Sequence, residues 1–162
     1  MIRLLKPFIL LSMLLFVVGC TSDKIINEEV ILPEDIPDFV QENDFEIIDW
    51  EKKTVEFGDR GIIGNENKSG VIGDEMSVNG HKWMWHLWGV DNVDLTIVGF
   101  HKETQTVHQI LINEWTRRSY GPNNGADSHT PSSVKFTQSG EWAVLLYTND
   151  KLFDILIYEI NE

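Results

Sequence analysis

The stretch "SGEWAVLLYTNDKLFDILIYEI", residues 139–160, decides the fold class. Two runs of β-branched, aromatic and aliphatic residues flank Asn149-Asp150. Both of these residues tolerate positive φ and suit the two-residue turn of a β-hairpin. That turn predicts the pairs Trp142 with Ile157, Val144 with Ile155, and Leu146 with Phe153, with all six side chains on one face. A helix would need a period near 3.6, which this stretch lacks.

The same reasoning extends upstream. "DLTIVGF" (94–100) and "TVHQILI" (106–112) flank a polar connection. With four residues in the turn, Leu95 pairs with Ile112 and Ile97 with Ile110. Thr96, Val98, Phe100, Val107 and Leu111 then share the other face, and this register is read as setting His101 and His108 out of phase. "GIIG" (61–64) and "GVIG" (70–73) bracket "NENKS" as a third hairpin. About seven short strands with frequent turns predict an all-β fold, an immunoglobulin-like β-sandwich, with a β-barrel as the alternative.

The chain opens with "MIRLLKPFILLSMLLFVVGC". Arg3 and Lys6 form a basic start, and Pro7 to Val18 is an apolar run typical of a signal peptide. As a helix that run would rise only about 18 Å, too short for a hydrocarbon core of roughly 30 Å. "VVGC" resembles the lipobox of bacterial lipoproteins. The resemblance implies cleavage after residue 19 and a diacylglyceryl group on Cys20. Two acyl chains anchor stably where one is marginal. Cys20 is the sole cysteine, so no internal disulfide can form. The expected division is a signal peptide at 1–19, lipidated Cys20 and an acidic tether over 20–44, and the sandwich over 45–162.

Without Arg3 and Lys6 the remaining chain carries 11 basic and 26 acidic side chains, a net charge of −15. Such a balance argues against nucleic acid as partner, since phosphates are repelled, and against lying flat on anionic lipid. Residues 23–49 hold ten Asp/Glu against one lysine, with Pro33 and Pro37 interrupting any helix. They read as a solvated tether, although "EEVILPEDIPDFV" has apolar residues with which part of it could dock. No calcium-binding loop pattern is present.

Two further motifs stand out. In "GHKWMWHLWG" (80–89) a strand would aim Trp83, Trp85 and Leu87 one way, and Met84, His86 and Trp88 the other. His81 and His86 fall on opposite faces, which disfavours a two-histidine metal site. A Trp-rich core strand is the expectation, with a stacking surface for sugar or peptide as the alternative. The stretch 114–133 reads as a twenty-residue loop. Loops of that length are often functional, and "PNNGADSHTPSS" is rich in residues that bond their own backbone. Asp127 and His129 could reach one ligand, or could simply pin the loop. Arg117 and Arg118 are adjacent.

"KWMWHLWG", "GPNNGADSHTPSS" and the ending "SGEWAVLLY…LFDILIYEI" together resemble an uncharacterised family of small, bacillus-type Gram-positive surface lipoproteins, a domain of unknown function. The resemblance spans residues 55–162 and implies a compact, sandwich-like domain at the cell surface, without reaction or ligand. The chain departs from it at Asp154, where a small residue is expected.

The candidate binding residues are therefore Trp88, His86, Asn123, Asn124, Asp127 and His129, gathered where the two motifs meet, with His86 as the loop's polar neighbour. Cys20 is the lipidation site. No hydrolase, nucleotide or zinc-protease motif is present, and neither cofactor nor metal is expected. The reading is a non-enzymatic protein on the outer face of the cell membrane, held through diacylglyceryl-Cys20, that binds an envelope protein or polymer. A surface hydrolase would instead need Asp127, His129 and Ser128 or Ser132 to converge. An inhibitor or sensor of a membrane partner is the third possibility.

Overall fold

The computed structural model describes residues 30–73 and 75–162. The expected signal peptide and Cys20 lie outside the described residues. Among these residues ten strands form two antiparallel sheets, packed as a β-sandwich. The first sheet runs β1 (Val55–Phe57), β2 (Ile62–Asn65), β3 (Ser69–Gly73), β4 (His81–Leu87) and β8 (Ser128–Val134). The second runs β10 (Lys151–Ile160), β9 (Gly140–Thr148), β5 (Asp94–His101) and β6 (Thr106–His108), with β7 (Thr116–Arg118) also on β5.

β4 supplies the inner face expected of it. Trp83, Trp85 and Leu87 are fully buried with Trp142, Val144, Leu146, Leu95 and Ile97 of the opposite sheet. The indoles also find polar partners, as buried indoles must. Trp85 Nε1 donates to Ser132 Oγ at 2.8 Å, and Trp83 Nε1 to the Glu75 carbonyl at 3.3 Å.

The β9–β10 hairpin turns at Asn149-Asp150, both at positive φ, but its register differs from the expectation. Thr148 pairs with Lys151 and Tyr147 with Leu152; a bulge at Phe153 then moves the ladder by one residue. Trp142 faces Tyr158, Val144 faces Leu156, and Leu146 faces Asp154. A one-residue shift exchanges the faces of a strand. Leu156, Tyr158 and Ile160 enter the inner core, while Ile155 and Ile157 point to the outer face.

β5 and β6 keep the expected four-residue turn, with His101 opposite Thr106 and Gly99 opposite His108. In this register His101 and His108 share a face, contrary to the sequence reading, and both rings lie against Trp142. Beyond His108 the ladder ends, and the pairs Leu95–Ile112 and Ile97–Ile110 do not form. The chain crosses to the first sheet, where Leu111 bridges Val134. Ile110 and Leu111 therefore both join the inner core, and Ile112 is exposed. Gly99 makes room for the crossing: a Cβ there would lie 2.5 Å from the Ile110 Cγ2. β7 occupies the vacated edge, with Thr116 opposite Thr96.

Residues 30–54, of which 30–44 were read as part of the tether, lie against the outer face of the second sheet. Val40, Phe45 and Ile48 are buried with Val98, Phe100, Leu145, Tyr147 and Ile157. Asp35 accepts a hydrogen bond from Trp115 Nε1 at 3.2 Å, and Asp44 accepts one from the Tyr147 hydroxyl at 2.9 Å. Burial, and then the Asp44 charge, raises the Tyr147 pKa far above the usual phenol range. Further along, Glu141 pairs with both Lys53 and Lys102. The segment is a strap with acidic side chains outside and aromatic ones beneath.

Candidate functional site

The long loop of the sequence reading contains two strands. β8, "SHTPSSV", pairs along the whole of β4, from His81–Val134 to Leu87–Ser128. Only residues 119–127 connect β7 to β8, and they form a hairpin of their own. Tyr120 bridges His129, Asn123 bridges Ala126, and Asn124-Gly125 forms the turn with φ of 49° and 84°. Asn-Gly is a strong sequence signal for such a turn, and it was present in "PNNGAD".

This hairpin folds over the end of β4. Asn124 Nδ2 donates to His86 Nε2 at 3.0 Å. Trp88 Nε1 donates to the Gly125 carbonyl at 2.8 Å, and the indole packs against Phe57. Asp127 Oδ2 accepts from the Gly89 amide at 2.6 Å, while the Asp127 amide donates to the Leu87 carbonyl. His129 Nδ1 donates to the Gly121 carbonyl at 2.7 Å, which leaves Nε2 as an acceptor in the neutral ring. The structure thus brings Trp88, His86, Asn124, Asp127 and His129 into one bonded cluster. Asn123 contributes only backbone bonds across the turn.

His86 is wholly buried on the outer face of the first sheet, with Nδ1 unpartnered. Burial lowers its pKa. The Met84 carbonyl, outside hydrogen-bonding geometry, opposes this in part, and the nearby His129 adds to it. The ring is therefore neutral at pH 7. Beside the cluster a shallow cleft of about 230 Å³ is lined by Gly89, Val90, Asp91, Pro122 and Asp127. Tyr120, 57% exposed, stands next to the His129 ring. The sequence reading did not single out Tyr120, Asp91 or Pro122; they come together only because the Asn-Gly turn folds this connection back along β8.

The convergence a hydrolase would need is not formed. Ser128 lies between Asp127 and His129 on a strand and so points to the opposite face, where it is fully buried. Ser132 is also buried, and accepts the Trp85 indole N–H. Among the described residues no group of three or more His, Cys, Asp or Glu could hold a metal ion.

A family model described as "Domain of unknown function (DUF4871)" matches residues 39–158. No curated protein matches the chain. A solved structure titled "X-ray Crystal Structure of a Putative Lipoprotein from Bacillus anthracis" is similar in fold, with a TM-score of 0.61 at 19% identity. The match covers 77% of this chain and 96% of that one.

Proposed function

Starting from the fact that this chain belongs to the DUF4871 family of unknown function, we propose that it is a protein lipid-anchored on the outer face of the cell membrane whose sandwich binds an envelope protein or polymer. The anchor rests on the basic and apolar leader ending in "VVGC", and the similar fold of a protein titled a lipoprotein supports it. The binding surface is the tip formed by residues 88–91 and 120–129. One observation carries this choice: Tyr120 is exposed on a tip whose backbone is fixed by the Asp127–Gly89 and Trp88–Gly125 bonds. A pre-organised tip loses little entropy on binding, and an exposed aromatic supplies contact area.

Two measurements test the two halves. Cys20→Ser should release the protein to the medium or leave uncleaved precursor. Unchanged partition into detergent would refute the anchor. For the binding half, a photo-crosslinker placed at Tyr120 in intact cells should capture a discrete envelope component, and the same probe at Glu34 on the strap should not. Equal capture at both positions, or none at Tyr120, would count against the tip.

A further inference from the structure

At the opposite end of the sandwich, away from the tip, two histidines are joined by two hydroxyls. His101 Nε2 lies 3.1 Å from the Ser139 carbonyl, which can only accept, so Nε2 carries a hydrogen. Nδ1 must then be the acceptor, and it receives the Thr104 amide at 3.3 Å and the Thr104 hydroxyl at 2.9 Å. With its own hydrogen committed, Thr104 Oγ1 accepts from the Thr106 hydroxyl at 2.6 Å and from Gln138 Nε2 at 3.1 Å. Thr106 Oγ1 in turn accepts from His108 Nε2 at 2.7 Å. Two backbone groups, one carbonyl and one amide, thus set the direction of the entire chain. As neutral rings both imidazoles are therefore Nε2–H tautomers, and the His108 Nδ1 lone pair remains open.

We propose that His101, Thr104, Thr106 and His108 form a proton-accepting relay, which takes one proton at His108 Nδ1 and passes it to the buried His101. The transfer balances atom by atom. The new proton bonds to His108 Nδ1, and the Nε2 hydrogen moves to Thr106 Oγ1. The Thr106 hydrogen moves to Thr104 Oγ1, and the Thr104 hydrogen to His101 Nδ1. His108 ends neutral in the Nδ1–H form, and His101 ends as the imidazolium. Its ring centroid is 4.9 Å from that of Trp142, and an indole attracts a cation.

The relay takes a single proton because a second charge beside the first is repelled. Burial, and then His101, already holds the His108 pKa below the usual value. Among the described residues no carboxylate bonds to either ring. β9 presents Trp142; the 136–139 segment presents Gln138 and the Ser139 carbonyl; Glu103 is exposed in the turn. Lys102 and Glu141 pair with each other. Charging His101 has one mechanical result: Nδ1–H now opposes the Thr104 N–H, so the 102–105 turn loses a bond. The site therefore couples external pH to the turn that carries Lys102, which also lies over Trp50 of the strap.

The test is ring nitrogen NMR of the isotope-labelled full chain between pH 8 and pH 5, with amide exchange recorded in parallel. At pH 8 both rings should be Nε2–H. On acidification both should change in one shared step, as coupled sites do, and exchange at the Thr104 amide should rise by at least about tenfold. Thr106→Val, a shape-conserving change at an exposed position, removes the hydroxyl that joins the two rings and should separate the two titrations. Gln138→Ala, which removes a donor outside the chain of hydroxyls, should preserve the shared step. An Nδ1–H tautomer on either ring at pH 8 would overturn the proposal. So would titrations unaltered by Thr106→Val.

Discussion

His86 is a buried ring that costs more to charge in the folded protein than in water, and its folded-state pKa lies below the ordinary 6.5. The unfolded chain therefore binds this proton first as pH falls. The associated stability is complete above about pH 6.5 and declines as pH falls through that value, at no more than about 1.4 kcal/mol per pH unit. His108, depressed in the same direction, adds to the slope. Urea midpoints of wild type should fall between pH 7.5 and pH 5, and His86→Gln should show a shallower decline; an equal decline would place the titrating group elsewhere. Asn124→Ala removes the one partner that the His86 ring has among the described residues and should cost roughly 1–3 kcal/mol, the range for stranding a buried polar atom. Asp154 teaches a related lesson. In sequence it looks out of place among apolar residues. In the fold it accepts from Asn65, Ser69 and the Ile155 amide, tying the edge of the second sheet to the first. Its two side-chain partners are 85 and 89 positions away, beyond the reach of any local pattern. Asp154→Ala should lower stability by roughly 1.5–3 kcal/mol, as the loss of hydrogen bonds to a charged group does.

Among the elements, the β9–β10 hairpin shows how far alternation can be read. Its turn was legible because Asn149-Asp150 is local chemistry. Its bulge was not, because apolar residues occupy both faces and either register buries them. The strap makes the outer face apolar too, so alternation lost its power to discriminate. Leu156→Ala should cost about 2–5 kcal/mol, as a fully buried large-to-small change does. Ile155, half-buried beneath the strap, should cost clearly less. Denaturant unfolding of the two variants decides between the registers, since equal losses or the reverse order would contradict the bulge. β8 was illegible for a different reason. "SHTPSSV" has one large apolar residue, and its inward positions are Ser128, Thr130 and Ser132. Small side chains are needed there because Trp83 and Trp85 of the adjacent strand fill the space, and a proline is tolerated because β8 is at a sheet edge. The candidate cluster was visible as composition at both of its ends. The geometry that joins them, the Asn124-Gly125 turn, was a readable signal left unread.

For the whole molecule, the strap alters what counts as the domain. The acidic composition of residues 23–49 suggested a solvated tether because charge was averaged along the segment. The buried residues Val40, Phe45 and Ile48 are spaced so widely among acids that no window registers them as core. Phe45→Ala should destabilise by about 3–5 kcal/mol, and Tyr147→Phe by roughly 1.5–3 kcal/mol through loss of its bond to Asp44. Thermal unfolding of the full chain measures both, and a loss confined to local protease sensitivity near residue 45 would mean the strap is dispensable to the sandwich.

The strap is also the first region of the fold to meet any tension arriving from the N-terminal side. It is fastened by side chains and a few isolated hydrogen bonds, which can break in succession, whereas β9 and β10 are joined along their length by a ladder broken only at the Phe153 bulge. Pulled between its ends, the molecule should yield first by peeling residues 30–54, releasing roughly 80–90 Å of contour, with the sheets still intact. Optical-tweezer traces should show this short step ahead of the main rupture, and its reversal when the load drops. The strap would then serve as a mechanical fuse, extending under load and rewinding onto its face once the pull subsides.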